Sequence, residues 1–155
     1  MGIGPSTKET SLHHFRDPLL DIVDNDADID VLGVMLVGTP QDNKEKHLVG
    51  KRAAQWAEGM RADGVILSCD GWGNSHVDFA NIIEEIGKRD IPLVGITFVG
   101  TQAKFVVTNR YMDTIVDMNK SAQGIETEVV GENTVTPLDC RKAVALLKLK
   151  MNKKV

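Results

Sequence analysis

Two stretches of the chain, residues 29–37 (IDVLGVMLV) and 91–99 (IPLVGITFV), are almost continuously apolar rather than alternating. Such runs are expected of strands covered on both faces by helices, as in a parallel sheet. A shorter run, residues 64–68 (GVILS), has the same character. Between the first and the short run, Val49, Ala53, Trp56, Ala57 and Met60 recur at helical spacing and predict a helix over residues 48–62. Phe79, Ile82, Ile83 and Ile86, at offsets 0, 3, 4 and 7, predict a second helix over 75–88, with Ser75 and Asp78 at capping-box-like spacing and Gly87 as terminator. Strand, helix, strand, helix, strand with short joins predicts a parallel core with right-handed crossovers.

The flanks are less regular. Leu12, Phe15, Leu19, Leu20 and Val23 suggest a helical stripe within residues 6–23, interrupted or restarted at Pro18, and DNDAD at 24–28 reads as a loop. Beyond the core, residues 105–108 predict a short strand, 111–119 a short helix and 125–130 (IETEVV) an edge strand. The last helix is well marked, with Thr136 as cap, Pro137 at its first position, and Cys140, Ala143, Val144, Leu147 and Met151 along one face. The expected architecture is a three-layer αβα fold of the Rossmann or flavodoxin-like kind, one domain over 1–155. It comprises a helical extension (1–28), a βαβαβ core (29–99), and a carboxyl-terminal strand and helix region (100–155).

Composition adds mainly exclusions. A chain of 155 residues suits one domain, given about 100–200 residues per domain. With 18 Lys and Arg against 22 Asp and Glu, the formal charge is −4, which argues against a nucleic-acid surface. Lys148, Lys150, Lys153 and Lys154 read as a solvated helix end and tail. No apolar run reaches the roughly 20 residues of a membrane span, and the first residues have no signal-like apolar core. Cys69 and Cys140 lack CxxC spacing, so neither a disulfide scaffold nor a zinc ribbon is expected, and a reducing, cytoplasmic setting is. No metal site is expected from the His or Asp spacings.

Ligands of open parallel sheets bind beyond the carboxyl ends of the strands. Three loops are expected there: Gly38-Thr39-Pro40-Gln41, residues 68–76, and Gly100-Thr101-Gln102-Ala103-Lys104. The middle loop is the richest in chemistry. Cys69, Asp70 and His76 are its candidate catalytic groups, because a helix start or a nearby imidazole increases a thiolate fraction and His titrates near neutrality. Gly38, Thr39, Trp72, Asn74, Ser75, Gly100, Thr101 and Gln102 are the candidate substrate-binding residues. For Cys69 a small buried hydrophobe at a strand end is the competing reading, and for His76 a cap or a solvated ring. Gly71-x-Gly73 lacks the third glycine of a dinucleotide fingerprint and follows the second strand, not the first.

Four segments carry a family resemblance: GPSTKETSLHHFRDPL (4–19), DGWGNSHVDFAN (70–81), GTQAKFVVTNRYMDTIVD (100–117) and GIETEVVGENTVTPLDCRKAVALLKLKM (124–151). They resemble the carboxyl-terminal portion of the D-proline reductase proprotein, its short stand-alone paralogue, and component B of the glycine, sarcosine and betaine reductases. The likeness spans nearly the whole chain. It implies reductive opening of D-proline to 5-aminovalerate in Stickland-type amino-acid fermentation. In that family a cysteine at a cleavage site becomes a pyruvoyl group, and a partner selenoprotein supplies the attacking selenol. The family's cleavage cysteine belongs upstream of the matched region, and Cys69 lies inside the core. The expectation is an accessory paralogue without its own pyruvoyl group. Its expected partners are the other reductase subunits, the selenoprotein included, a small amino acid, and further copies of itself. The alternatives are a thiol-dependent oxidoreductase using Cys69 and a non-catalytic oligomeric module that binds a small molecule.

Overall fold

The computed structural model describes residues 18–69, 74–97, 105, 107–118 and 135–152. Among these residues four helices, α1 Pro18–Asp24, α2 Asn43–Gly59, α3 Asn74–Gly87 and α4 Pro137–Asn152, surround three strands, β1 Val65–Ser68, β2 Leu93–Thr97 and β3 Ile115–Asp117. The strands are parallel and ordered β1-β2-β3, with Val65 opposite Leu93 and Gly95 opposite Ile115. All five residues of β2 are buried. Side chains alternate across a strand, so Leu93 joins the cluster under α2 and α3 while Val94 and Ile96 join the cluster under α4. The result is the expected three-layer α/β arrangement, with helices on both faces of a parallel sheet.

Each helix has a local cause. Asp42 caps α2 by accepting from the amides of Lys44 and Glu45, seven residues before the apolar periodicity begins at Val49. The helix ends with Arg61 at φ 56, where the Ala62 amide returns to the Ala57 carbonyl. On α3, Phe79, Ile82, Ile83 and Ile86 are all buried, as the spacing predicts. At α4 the Thr136 amide donates to the Asp139 carboxylate at 2.9 Å, and the Asp139 amide returns to the Thr136 hydroxyl at 3.4 Å. That is a capping box with Asp in place of Glu, and Pro137 follows at the first helical position.

Several expectations are corrected. Residues 29–37 form no strand: among the described residues no other strand pairs with the segment, and most of its side chains are exposed. Gly33 sits in its middle at φ 152, a conformation other residues rarely adopt, and breaks the extended run. The third strand instead comes from residues 115–117, within a stretch whose spacing reads as helical. Thr114, Ile115 and Val116 are β-branched, and pairing with β2 decides their state. The described residues of 105–108 contain no strand. Residues 125–130 and the amino-terminal part of the predicted 6–23 helix lie outside the described residues. Lys148 is not simply solvated: it bonds Asp26 at 2.6 Å and Asp28 at 2.9 Å, helping to hold the α1 segment against α4. Lys150 likewise bonds Asp113. Among the described residues no helix is long and apolar enough to cross a membrane.

The α3 layer closes on the sheet at Gly95. A Cβ there would stand 2.7 Å from the Phe79 ring, which is itself buried. Gly95→Val is expected to lower stability by about 1–3 kcal/mol through overpacking, read as a lower urea midpoint; an unchanged or higher midpoint contradicts this packing.

Candidate functional site

The carboxyl edge of the sheet is assembled by alternation. Leu93, Gly95 and Thr97 share one face of β2, and Phe79 of α3 covers Gly95. His76 precedes Phe79 by one turn on the same helix face. Since α3 runs back between two parallel strands, His76 stands nearer their carboxyl ends, over the level of Thr97. Phe105 holds both rings: it lies 4.9 Å from His76 and stacks on Phe79 at 6.1 Å.

Cys69 follows β1 directly. Its amide donates to the Ile96 carbonyl at 3.0 Å, which extends the ladder by one residue and places Cys69 beside Thr97. Like Leu67 and Val65, it packs against the α2 and α3 cluster. Thr97 pairs with Asp117 of β3. A thiol, a hydroxyl and a carboxylate therefore form a row across three strand ends, on the face that carries His76.

Two atoms here need a partner. Among the described residues His76 Nε2 and Thr97 Oγ1 are buried without one, and a buried orphan polar group costs about 1–3 kcal/mol. His76 is 1% exposed, and burial pushes its imidazole below the usual proton affinity, so the ring is neutral at pH 7. A neutral imidazole accepts a proton at one nitrogen and donates a hydrogen bond from the other. Beside it, the first turn of α3 offers amides that favour a carboxylate. The edge suits a small molecule with an acidic group and a second polar group.

A polar seam between α2 and α3 supports the site. Lys46 and Asp78, both buried, form an ion pair at 2.5 Å. Asn81 donates to the Lys46 carbonyl at 3.2 Å and meets His47 Nδ1 at 2.9 Å. Gly50 makes room for Asn81, since a Cβ there would collide with its amide. Asp78 thus serves this pair rather than a capping box, and its Oδ1 is a third orphan.

Of the residues expected at the site, Cys69 and His76 are brought to one face, and His76 is neither a cap nor a solvated ring. Asn74 bonds Gln41 at 3.2 Å, which joins the first loop to the start of α3. Ser75 is half-buried, while Gly38 and Thr39 are exposed beside that contact. Asp70, Trp72, Gly100, Thr101 and Gln102 lie outside the described residues. Thr97, Asp117, Lys46 and Asp78 were not singled out as site residues by the sequence. Only the 46, 50, 53, 57 spacing on α2 placed Lys46 on a small-residue face. A cavity of about 300 Å³, lined by Tyr111, Arg110, Asp113 and Lys150, opens at the opposite end of β2, away from this chemistry.

A cleavage-derived carbonyl does not fit Cys69. Its amide is committed to the ladder and β1 runs straight into it, so a chain break there would open the sheet edge.

His76 titration by NMR is expected below about 6.5, its ordinary value. With the native value depressed, acidification protonates the unfolded chain first, so stability falls as pH drops below about 6.5. His76→Gln should flatten that part of the pH profile of Tm; a midpoint at or above 6.5 contradicts the burial. Lys46→Met, which leaves the Asp78 carboxylate buried and unpaired, is expected to cost about 3–5 kcal/mol. Adding Asp78→Leu should restore much of that loss in chemical denaturation, and an additive double variant would show the two to be independent.

Comparison with known proteins adds the lineage. The family model for glycine/sarcosine/betaine reductase component B subunits matches residues 2–139. The D-proline reductase proprotein of Acetoanaerobium sticklandii is 47% identical over 146 residues, which is 94% of this chain and 23% of the relative. The chain thus spans about a quarter of that relative's length. No solved structure matches. By these two matches, the chain belongs to the glycine/sarcosine/betaine reductase component B family.

Proposed function

We propose that this chain is a cytoplasmic component of a proline-reducing system, an accessory paralogue of the D-proline reductase proprotein that works without a pyruvoyl group of its own. The observation that carries this reading is the 47% identity across 94% of the chain. The geometry supports it in two ways. Cys69 is built into the sheet edge rather than set at a cleavage point. The orphaned His76 Nε2 and Thr97 Oγ1, with the first turn of α3, suit the carboxylate and nitrogen of a small amino acid. Other reductase subunits, including the selenoprotein, would supply the reducing chemistry, and the chain would assemble with them and with copies of itself.

A second reading rests on the row at the strand ends. Cys69 stands beside Thr97 on the face that carries His76, and a thiolate formed there would be a nucleophile. On that reading the isolated chain is itself a thiol-dependent oxidoreductase.

Affinity capture of the full chain from extract of a proline-fermenting anaerobe is expected to recover the proline reductase subunits, and calorimetry to show D-proline binding that weakens at least tenfold in Thr97→Val. Capture that recovers none of those subunits, with no proline bound, overturns the first reading. Reduction of proline by the isolated chain, lost in Cys69→Ser with binding intact, would replace it with the second.

A further inference from the structure

Segment 29–37 has the composition of a buried strand, yet residues 30–36 are exposed. Within it Val31, Leu32, Val34, Met35 and Leu36 are exposed large apolar side chains, Val34 at 65% and Leu36 at 95%. The segment is an anchored strap. Before it, Asp26 and Asp28 bond Lys148; at its end Val37 packs against the α2 and α3 cluster, and beyond it Asp42 caps α2.

A second uncovered surface belongs to α2. This helix packs its small residues, Gly50, Ala53, Ala54 and Ala57, toward α3, and turns Leu48, Trp56 and Met60 outward, Trp56 at 66% exposure. The sequence places Trp56 and Met60 on the helix's apolar stripe with Ala53 and Ala57, yet both are exposed where Ala53 and Ala57 are buried. β1 is an edge strand, and among the described residues nothing pairs with its outer side. An open edge offers unpaired amides and carbonyls to another chain.

We propose that the strap, the outward stripe of α2 and the open edge of β1 form the face on which a second copy of this chain seats. Area decides for such an occupant. Eight exposed apolar side chains at roughly 100 Å² each give on the order of 800 Å², the share each partner contributes to a standard-size interface. Self-complementarity makes the partner a like chain: each copy carries an apolar strap lacking an edge and an edge lacking a strand, and a two-fold axis satisfies both at once. The face gives the homo-oligomer of the proposed function a location and does not depend on the substrate.

Sedimentation velocity of the full chain across a dilution series is the test, with Leu36→Asp and Trp56→Glu beside the native protein. The native chain is expected to be dimeric at micromolar concentration, and each variant to weaken dimerisation about 30-fold or more, the scale of a hot-spot residue. Circular dichroism of the variants should remain that of the native chain, since Leu36 is almost wholly exposed. Should Trp56→Glu unfold, Leu36→Asp alone decides. A native chain that stays monomeric at every concentration overturns the proposal, as does a dimer that neither variant weakens. Hydrogen exchange separates one further outcome: protection of residues 31–37 that rises with concentration supports the dimer, whereas full protection in the monomer means that the strap closes on its own β1 and overturns it.

Discussion

Burial of β2 on both faces is the constraint on which the rest of the molecule depends. A strand with no solvent side must divide its side chains between two helical layers, so Leu93, Gly95 and Thr97 answer to α3 while Val94 and Ile96 answer to α4. Gly95 sets how closely α3 approaches, because Phe79 occupies the space a side chain would take. Thr97, last in the series, carries the same alternation to the strand end and turns a packing rule into a polar position in the site. Cys69 and Asp117 reach the same row because their strands are parallel to β2 and in register with it.

The site is polar where the core should be driest. Among the described residues His76, Asp78 and Thr97 each bury a polar atom without a partner, and Lys46 is sunk between two helices. Such groups rarely add stability: an apolar core of similar volume is often at least as stable as a buried ion pair. Their concentration where α2 and α3 meet the sheet's carboxyl edge fits a site whose polar groups await a ligand, with Lys46 and Asp78 fixing how the two helices sit. The candidate groups lie at the edge where open parallel sheets ordinarily bind ligands.

The outer surfaces divide by charge. Along α1 and α4, Lys148 gathers Asp26 and Asp28, and Lys150 gathers Asp113. That side is stitched by partly exposed pairs, each worth little alone. The strap and the outer stripe of α2 carry eight of the twelve large apolar side chains exposed among the described residues, against Leu20, Leu138 and Leu149 on α1 and α4, which is why association is assigned to that side.

Much of this was written in local sequence. The helix at Pro137–Asn152, with Thr136 as its cap, and the buried stripe of α3 follow from spacing and capping chemistry, which act over a few residues. The parallel α/β class followed from apolar runs too continuous for a half-exposed sheet. Cys69 and His76 were legible as chemistry because they flank a predicted strand end and helix start. Pairing between distant segments was decided elsewhere. Whether 29–37 or 115–117 joins β2 depends on which backbone finds an edge, and neither apolarity nor spacing encodes that. The same holds for Lys46 with Asp78 and for Thr97 beside Cys69. These contacts link residues about 30 positions apart, and only the register of the sheet and the closeness of α2 to α3 bring them together.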